Sequence, residues 1–215
     1  MPARPKRILI TAGPTREMLD PVRFLSNLST GEMGYALARA ARNQKCAVTL
    51  ISGPTHLKPP AGVHFVPITS AKDLQRACRK YFPKHDALIM TAAVCDFTAA
   101  RPHRHKIHRT KTKEMFLRQT PDIVAGLARR KGKRRIIGFC LETRDWLGNA
   151  KRKLAQKGLD GIVANYYTPA HVPFGNRRIT TAFVDRSGRT KILRAQSKTQ
   201  ISRQLMGWMQ RLLAH

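Results

Sequence analysis

The stretch that decides the fold is residues 7–17, which read RILITAGPTRE. Its apolar first half ends at a Gly-Pro pair that begins with Gly13. A short apolar run closed in this way is typical of a buried parallel strand that stops at a loop. Residues 26–42, SNLSTGEMGYALARAAR, continue as a polar turn and an Ala-rich pattern, which predicts a helix capped by Ser29 or Thr30. A strand that leads through a loop into a helix indicates an α/β fold.

The same alternation continues along the chain. Further strands are predicted at residues 47–52, 63–68, 86–93, 135–140 and 161–165, and helices at 70–78, 122–128, 148–158 and 197–213. Residues 179–193 indicate a β-hairpin around a Ser-Gly turn, and residues 97–118 a basic loop with little periodicity. The chain contains no internal repeat and no linker. We therefore predict a single domain over residues 1–215, an α/β fold with a Rossmann-like, doubly wound, mostly parallel sheet and a late β-hairpin extension.

The charge is strongly unbalanced. The sequence has 41 Lys and Arg against 12 Asp and Glu, a formal charge of +29, while 42% apolar residues exclude wholesale disorder. Such a chain attracts polyanions, and weak non-specific nucleic-acid binding is expected at its densest basic run, residues 129–135. The charge can be a general surface property, or it can form a funnel for a small, highly phosphorylated substrate. The two interpretations are compatible.

Membrane, secretory and zinc-binding classes are disfavoured. The longest apolar stretches, such as residues 87–93, are shorter than the about 20 residues that span a membrane, and the N-terminal apolar run is too short for a signal peptide. The cysteines stand singly, without a CxxC pair, at Cys46, Cys78, Cys95 and Cys140. That spacing favours reduced thiols. We expect a cytoplasmic protein without a metal site or membrane contact.

Polar residues cluster where predicted strands end, and ligands bind at the carboxyl ends of strands in open α/β sheets. The Ser-Asn-x-Ser-Thr-Gly turn at residues 26–31 suits a phosphate, although it is neither GxGxxG nor a P-loop. Asn27 and Ser29 could instead simply cap a helix. Asp96, which follows the strand at 86–93, could accept hydrogen bonds from a ribose or base, or it could cap the next turn.

Cations are concentrated in the loop after Asp96. It contains His103, Arg104, His105, Lys106, His108, Arg109, Lys111 and Lys113. These residues are either solvated surface or a mobile flap that closes over a polyphosphate and excludes water. Lys153 and Lys157 lie four residues apart, so they share one face of a predicted helix and could contact phosphates or water.

Taken together, these motifs resemble the bacterial phosphopantothenate–cysteine ligase family of coenzyme A biosynthesis. The matching motifs, in family order, are residues 8–17, 19–27, 29–34, 48–54, 92–97, 106–107, 121–124, 138–139, 142–143 and 164–165. The resemblance implies that phosphopantothenate attacks CTP to give an acyl-cytidylate and pyrophosphate, and that cysteine then displaces CMP. It also implies Mg²⁺ carried with CTP, no FMN because the fused flavin-dependent decarboxylase is missing, and a homodimer built partly through the hairpin at 179–193.

The resemblance also assigns roles to individual residues. Arg23 and Asn27 would hold the pantothenate end and the acyl group, and Asn27 and Lys106 would be catalytic. Ala92 and Ala93 would present their backbone to the substrate and nucleotide. The nucleotide would be bound by Thr91, Ala92, Asp96, Lys106 and, in the base pocket, Pro121, Asp122, Ile123, Val124 and Phe139, with Lys153 and Lys157 on the triphosphate.

The chain departs from the family pattern at two places. His108 stands where the family commonly has a basic residue, so the charge of the flap could change near neutral pH. Tyr166 begins a sequence after Asn165 that differs from the family's usual one. Two other classes stay open on the residues alone: an NAD(P)-dependent oxidoreductase, which the missing GxGxxG disfavours, and a basic nucleic-acid-binding protein.

Overall fold

The computed structural model describes residues 4–109 and 114–214; the predicted flap cations Lys111 and Lys113 lie outside the described residues. One sheet has eight strands: β1 (Arg7–Ala12), β4 (Ala47–Ser52), β5 (His64–Pro67), β6 (Ala87–Met90), β9 (Arg135–Glu142), β10 (Gly161–Tyr166), β11 (Ile179–Asp185) and β12 (Thr190–Gln196). Two short ribbons stand beside it, β2 (Arg16–Met18) with β3 (Phe24–Ser26) and β7 (Phe97–Ala99) with β8 (Leu117–Gln119).

Six strands of the large sheet are parallel, in the order β5-β4-β1-β6-β9-β10. Numbered by their sequence among themselves, they follow the order 3-2-1-4-5-6 of a Rossmann fold. The winding reverses between β1 and β6, where Ile8 pairs with Ala87 and Thr11 with Met90. β11 and β12 extend the sheet as an antiparallel hairpin beyond β10. The predicted fold class, including the late hairpin, is confirmed.

Helices cover both faces of this sheet. α1 (Glu32–Asn43) and α5 (Lys198–Ala214) pack on one face, over Ile8 and Ile10. α2 (Ala71–Tyr81), α3 (Ile123–Ala128) and α4 (Trp146–Gln156) pack on the other, over Leu9. Successive residues of a strand point to opposite faces, so a strand covered on both sides must be apolar throughout. This is the reason that the central strands stand out in the sequence.

The beginning of α1 differs from the prediction. Its N-cap is Gly31, and neither Ser29 nor Thr30 caps it; Gly31 has φ +81° and the cap makes no side-chain hydrogen bond. A β-carbon at Gly31 would lie 2.7 Å from Cγ2 of Thr55, so only glycine fits this positive-φ turn. α2, in contrast, begins with the predicted capping box, in which Ser70 and Asp73 bond reciprocally.

The predicted basic loop at residues 97–118 is also corrected. Its two ends pair as the antiparallel ribbon β7–β8, with Phe97 opposite Gln119 and Ala99 opposite Leu117. The ribbon β2–β3 likewise lay inside a stretch for which no strand was predicted. Strands of three residues are too short to carry a periodic signal, and their partner supplies the order. No helix within the described ranges is both long and apolar enough to cross a membrane.

Candidate active site

The candidate site lies at the carboxyl ends of β1 and β6, where the winding of the sheet reverses. The first turn of α1 comes very close to these strand ends, because a β-carbon at Gly34 would lie 2.7 Å from Oγ1 of Thr91. α1 therefore presents the free backbone N–H groups of its N-terminus beside the strand ends. Glycine is required here for close approach, and the arrangement is the usual anion-binding geometry of this fold class.

The backbone after β6 is fastened to the segment after β1. The N–H of Ala92 donates to Oγ1 of Thr11 at 3.1 Å, and the N–H of Ala93 donates to the carbonyl of Gly13 at 2.9 Å. The hydroxyl of Thr91 donates to the carbonyl of Thr11. The backbone of Ala92 and Ala93 was predicted to face substrate and nucleotide. In the structure, both N–H groups are hydrogen-bonded to acceptors within the protein.

The side chain of Asn27 is bonded to the same backbone segment after β6. Its side-chain amide donates to the carbonyl of Ala93 at 3.0 Å, and that carbonyl also accepts from the N–H of Thr15 at 3.1 Å. Asn27 is exposed and does not cap α1. Ser29 accepts a bond from the N–H of Gly31 at 3.3 Å, one residue before the helix. The helix-capping alternative is therefore wrong for both residues.

Asp20 organises the loop that carries Arg23. One carboxylate oxygen accepts from the N–H groups of Val22 and Arg23 at 2.7 and 2.8 Å, and the other accepts from the N–H of Ile107 at 3.1 Å. Burial favours the neutral acid, yet the N–H donors of Ile107, Val22 and Arg23 together hold the pKa of Asp20 below its usual value. The residue is 1% exposed and ionised at neutral pH.

The described part of the predicted flap is tied to this loop. The guanidinium of Arg23 donates to the carbonyl of Ile107 at 3.0 Å, and the N–H of His103 donates to the carbonyl of Leu19 at 2.8 Å. Lys106 and His108, on either side of Ile107, are exposed. The predicted substrate residue Arg23 and the predicted flap residue Lys106 are thereby brought together, through a carboxylate that the sequence analysis did not single out.

One pocket unites several other predicted residues. It is lined by residues 29–34, 91–93 and 139–141, Asn165, Pro173, Phe174, Ile179 and Lys198. Thr91, Ala92, Ala93 and Phe139 therefore share one cavity with the first turn of α1. Oδ1 of Asn165 is buried and accepts no hydrogen bond from any described residue. A buried carbonyl oxygen without a donor is costly, so this atom is suited to a donor on a ligand or water.

The other residues predicted for the base and the triphosphate lie outside this pocket, and the charged ones among them have partners of their own. Asp122 caps α3 by accepting from the N–H of Ala125 at 3.0 Å, and it pairs with Lys157 at 3.1 Å. Lys153 pairs with Glu142 at 2.7 Å. Three further residues of the set have no polar side-chain contact to offer: Ile123 is buried, Val124 is half-buried and Pro121 is exposed.

Asp96 is exposed, and its side chain accepts no hydrogen bond from a described residue. Its backbone carbonyl accepts from the N–H of Thr120 at 2.9 Å, which aligns the beginning of β7 with the end of β8. The residue therefore has no capping role within the described ranges.

A family model for the DNA/pantothenate metabolism flavoprotein C-terminal domain matches residues 3–213. The chain belongs to this family. The family resemblance drawn from the motifs is thereby confirmed. The coenzyme A biosynthesis bifunctional protein CoaBC of Bacillus subtilis is 41% identical over 208 residues, which are 95% of this chain and 51% of that protein. The chain spans about half the length of the curated relatives it matches.

Solved structures agree with this placement. A crystal structure of the C-terminal domain of a CoaBC protein superposes with a TM-score of 0.84 at 36% identity, covering 97% of this chain and 96% of that one. A Cab2 mutant in complex with phosphopantothenate-cysteine superposes with a TM-score of 0.80 over 98% of this chain and 88% of that one. The Cab2 protein is 18% identical in sequence, so this superposition shows similarity of fold alone.

Lys198 is a cation of this pocket that was not predicted from the sequence. Nζ of Lys198, the first residue of α5, lies 2.9 Å from the carboxylate of Glu32, the first residue of α1, and it also donates to the carbonyl of Gly175. The side chain of Lys198 is 12% exposed. No local pattern could have identified it, because its partners lie 166 and 23 residues away.

The cysteines offer no alternative chemistry. All four are buried and free, and burial raises the pKa of the Cys78 and Cys140 thiols to about 12. Such thiols stay protonated at neutral pH and are neither nucleophiles nor metal ligands. Among the described residues, no cluster of three or more His, Cys, Asp or Glu could hold a metal ion.

Proposed function

We propose that this chain joins phosphopantothenate to L-cysteine, using CTP and passing through an acyl-cytidylate. The observation that carries the proposal is the amide of Asn27 fastened to the Ala93 carbonyl, at the reversal point of the sheet and beside the N-terminus of α1. The family match over residues 3–213 supports it, as do relatives named for coenzyme A biosynthesis.

In the first half-reaction, a carboxylate oxygen of phosphopantothenate forms a bond to the α-phosphorus of CTP. The bond from that phosphorus to the bridging oxygen breaks, and pyrophosphate leaves with Mg²⁺, which enters as part of the nucleotide substrate. Both substrates are anions, so the site must screen their repulsion and hold them in line. Arg23, held by Asp20, and the N–H groups of the first turn of α1 would supply positive potential, and the two elements precede and follow Asn27 in the sequence.

In the second half-reaction, the amine of cysteine attacks the acyl carbon of the mixed anhydride. A C–N bond forms, the bond between the acyl carbon and the phosphate oxygen breaks, CMP leaves with the electron pair, and the amine loses a proton. Negative charge grows on the leaving phosphate. We assign its stabilisation to Lys106, which the Asp20–Ile107 bond holds near Arg23.

Lys153 of α4 and Lys157, which caps the end of that helix, would bind the triphosphate by exchanging partners. In this structure Lys153 pairs with Glu142 and Lys157 with Asp122, so their charges are already compensated. A triphosphate carries more negative charge than one carboxylate, and α4 is anchored through buried Ala150 and Leu154, which leaves both lysine side chains free to turn. The base would then occupy the neighbourhood of Phe139, with Asp96 at the ribose.

We also propose a homodimer in the cytoplasm, without FMN. β12 is the outer strand of the sheet, and Ile192 on it is 42% exposed. An exposed edge strand is a template for pairing, and a second copy of the hairpin would cover it. Light scattering at micromolar concentration is expected to give twice the mass of the chain. A single monomer mass would remove the dimer from the proposal.

The activity test uses each nucleoside triphosphate in turn, with phosphopantothenate and cysteine. We expect pyrophosphate and phosphopantothenoylcysteine to form with CTP. Without cysteine, pyrophosphate should form in an amount close to that of the enzyme and then stop. No pyrophosphate with any triphosphate would overturn the proposal, and hydride transfer from a nicotinamide would replace it with the oxidoreductase that shares this strand order.

A further inference from the structure

The edge of the sheet opposite the candidate active site carries a separate basic surface. A depression of about 650 Å³ is lined there by six cations: Arg4, Lys6, Arg7, Lys84, Lys133 and Arg134. We name these six residues the amino-end face, because they precede or begin β1, β6 and β9. β1 has six residues and rises about 3.3 Å per residue, so about 20 Å of strand separates this face from the loop at Gly13.

The positive charge of the amino-end face is only slightly compensated. Asp86 is the one carboxylate among its described lining residues, and it accepts from Nη2 of Arg4 at 2.7 Å and from the N–H of Arg7 at 2.8 Å. The three lysines, Lys6, Lys84 and Lys133, are exposed and form no ion pair with a described residue.

A second depression prolongs this surface. It shares Arg7 and Lys84 with the first and adds Arg42, so the basic surface follows the amino ends of β9, β6, β1 and β4. Neighbouring strands lie about 4.8 Å apart, which gives about 14 Å across four strands. This length corresponds to about four phosphates of one strand in a double helix, at about 3.4 Å each.

We propose that the amino-end face binds the phosphate backbone of double-helical nucleic acid, without reading its sequence. Five of its six cations are borne on long, exposed side chains, and only Arg134 is half-buried. Exposed, flexible cations suit a repeating polyanion better than one small anion in a fixed cage. Single strands need aromatic side chains on which bases stack. Phe82 is 3% exposed beneath the guanidinium of Arg134. Tyr81 is half-buried between contacts with the ammonium of Lys80 and the ring of His64, so neither aromatic ring is freely exposed to a base.

The structure divides the basic run at residues 129–135 into cations that are bonded within the fold and cations that are not. Nζ of Lys131 donates to Asp160 at 2.6 Å and to the carbonyl of Gly158 at 2.8 Å, and the lysine is largely buried. Arg135 donates to the carbonyl of Leu212 and also faces Asp160. Both cations balance a buried carboxylate and are part of the fold. Of that run, Lys133 and Arg134 line the amino-end face.

The test compares two triple variants with the same change of charge. The first, K6Q/K84Q/K133Q, removes the uncompensated lysines of the amino-end face. The second, K58Q/K72Q/K151Q, removes three exposed lysines elsewhere, none in an ion pair with a described residue. Binding is measured by fluorescence anisotropy at several salt concentrations. The probes are a DNA duplex, an RNA duplex of the same sequence, a DNA single strand and anionic phosphatidylglycerol vesicles.

We expect both duplexes to bind and sequence to matter little. The first variant should lower the slope of log K against log salt by about three, since each phosphate contact contributes about 0.9, and the second should change it by less than one. Equal losses in the two variants would overturn the assignment to this face. If single strands or vesicles bound more tightly than the duplexes, the proposed ligand would be wrong. If the parent protein bound none of the probes, the whole proposal would be refuted. No arm depends on ligase turnover.

Discussion

The two edges of the central sheet handle charge in opposite ways. At the carboxyl ends of the strands, several charged side chains form short, directed bonds, such as Asp20 with Ile107 and Lys153 with Glu142. At the amino ends, Lys6, Lys84 and Lys133 have no carboxylate partner among the described residues. Directed bonds position groups for chemistry, whereas uncompensated exposed charge attracts a polyanion without fixing its register. The net charge of +29 belongs to the whole chain and does not by itself distinguish these two edges.

The largest loss of turnover is expected from substitution of Asn27, which lies at the carboxyl ends of the strands. We expect Asn27→Asp to reduce turnover at least about 100-fold, the usual cost of losing one preorganised donor. The variant replaces an amide donor with a carboxylate that faces the Ala93 carbonyl and an anionic substrate. Its melting temperature should stay near that of the parent, because the side chain is exposed. Asn27→Ala, which loses the donor without adding charge, should be less impaired; near-parental turnover in both would refute the role of Asn27.

Lys106→Gln separates the two half-reactions. Pyrophosphate release without cysteine should persist, whereas product formation should fall by about 10- to 100-fold, because charge on the leaving phosphate loses its stabilisation. Quench-flow measurement of the acyl-cytidylate would reveal its accumulation. Lys84→Gln, an exposed lysine at the opposite edge, is the matched control and should leave both steps unchanged. Equal loss of both steps in Lys106→Gln would contradict this division of labour.

Asp20→Asn tests whether the buried carboxylate positions Lys106. The amide cannot accept from Val22, Arg23 and Ile107 at once, so we expect product formation to fall about 10-fold. Asp20 has a lowered folded-state pKa, so its stabilising effect is full above the unfolded value of about 3.9 and is lost as the pH falls through the folded value. The difference in melting temperature between parent and variant should therefore be constant near neutral pH and shrink in acid.

Asp86→Asn is the control for that experiment. Asp86 also has a lowered pKa, set against burial by the N–H of Arg7 and the guanidinium of Arg4, but it lies at the amino ends of the strands. This variant should show the same acid dependence of stability with unchanged turnover. If Asp86→Asn reduced turnover as much as Asp20→Asn, a general loss of stability would explain both.

The smallest expected effect is the change of turnover with salt concentration, compared with the change of duplex binding. Duplex binding at the amino-end face rests on counterion release and should disappear at moderate salt. Ligase turnover should fall only a few-fold over the same range, because its cations act at distances shorter than the Debye length of about 8 Å. Parallel titration of anisotropy and pyrophosphate release measures both. Curves that coincide would mean that the edges do not differ in this respect.

The sequence predicted the sheet far better than the surroundings of the site. The central strands and the capping box at Ser70 were correct because their signals are local: apolar runs buried on both faces, and a serine three residues before Asp73. The predicted cap of α1 was wrong because the helix begins after Gly31, whose φ is positive. The hydroxyl residues before it in the sequence do not indicate that conformation. The ribbon β7–β8 was missed because its strands are ordered by each other and not by periodicity.

The sequence by itself therefore determined the fold class, the late hairpin and the family motifs. Only the tertiary structure decided which charges act together. The bonds from Asn27 to Ala93, Asp20 to Ile107 and Lys198 to Glu32 join residues 66, 87 and 166 positions apart. Whether a lysine is compensated, as Lys131 is by Asp160, or exposed, as Lys133 is, depends on the path of the chain around it. Apolar periodicity is written in neighbouring residues, but electrostatic pairing acts through space, where only the folded chain sets the distances.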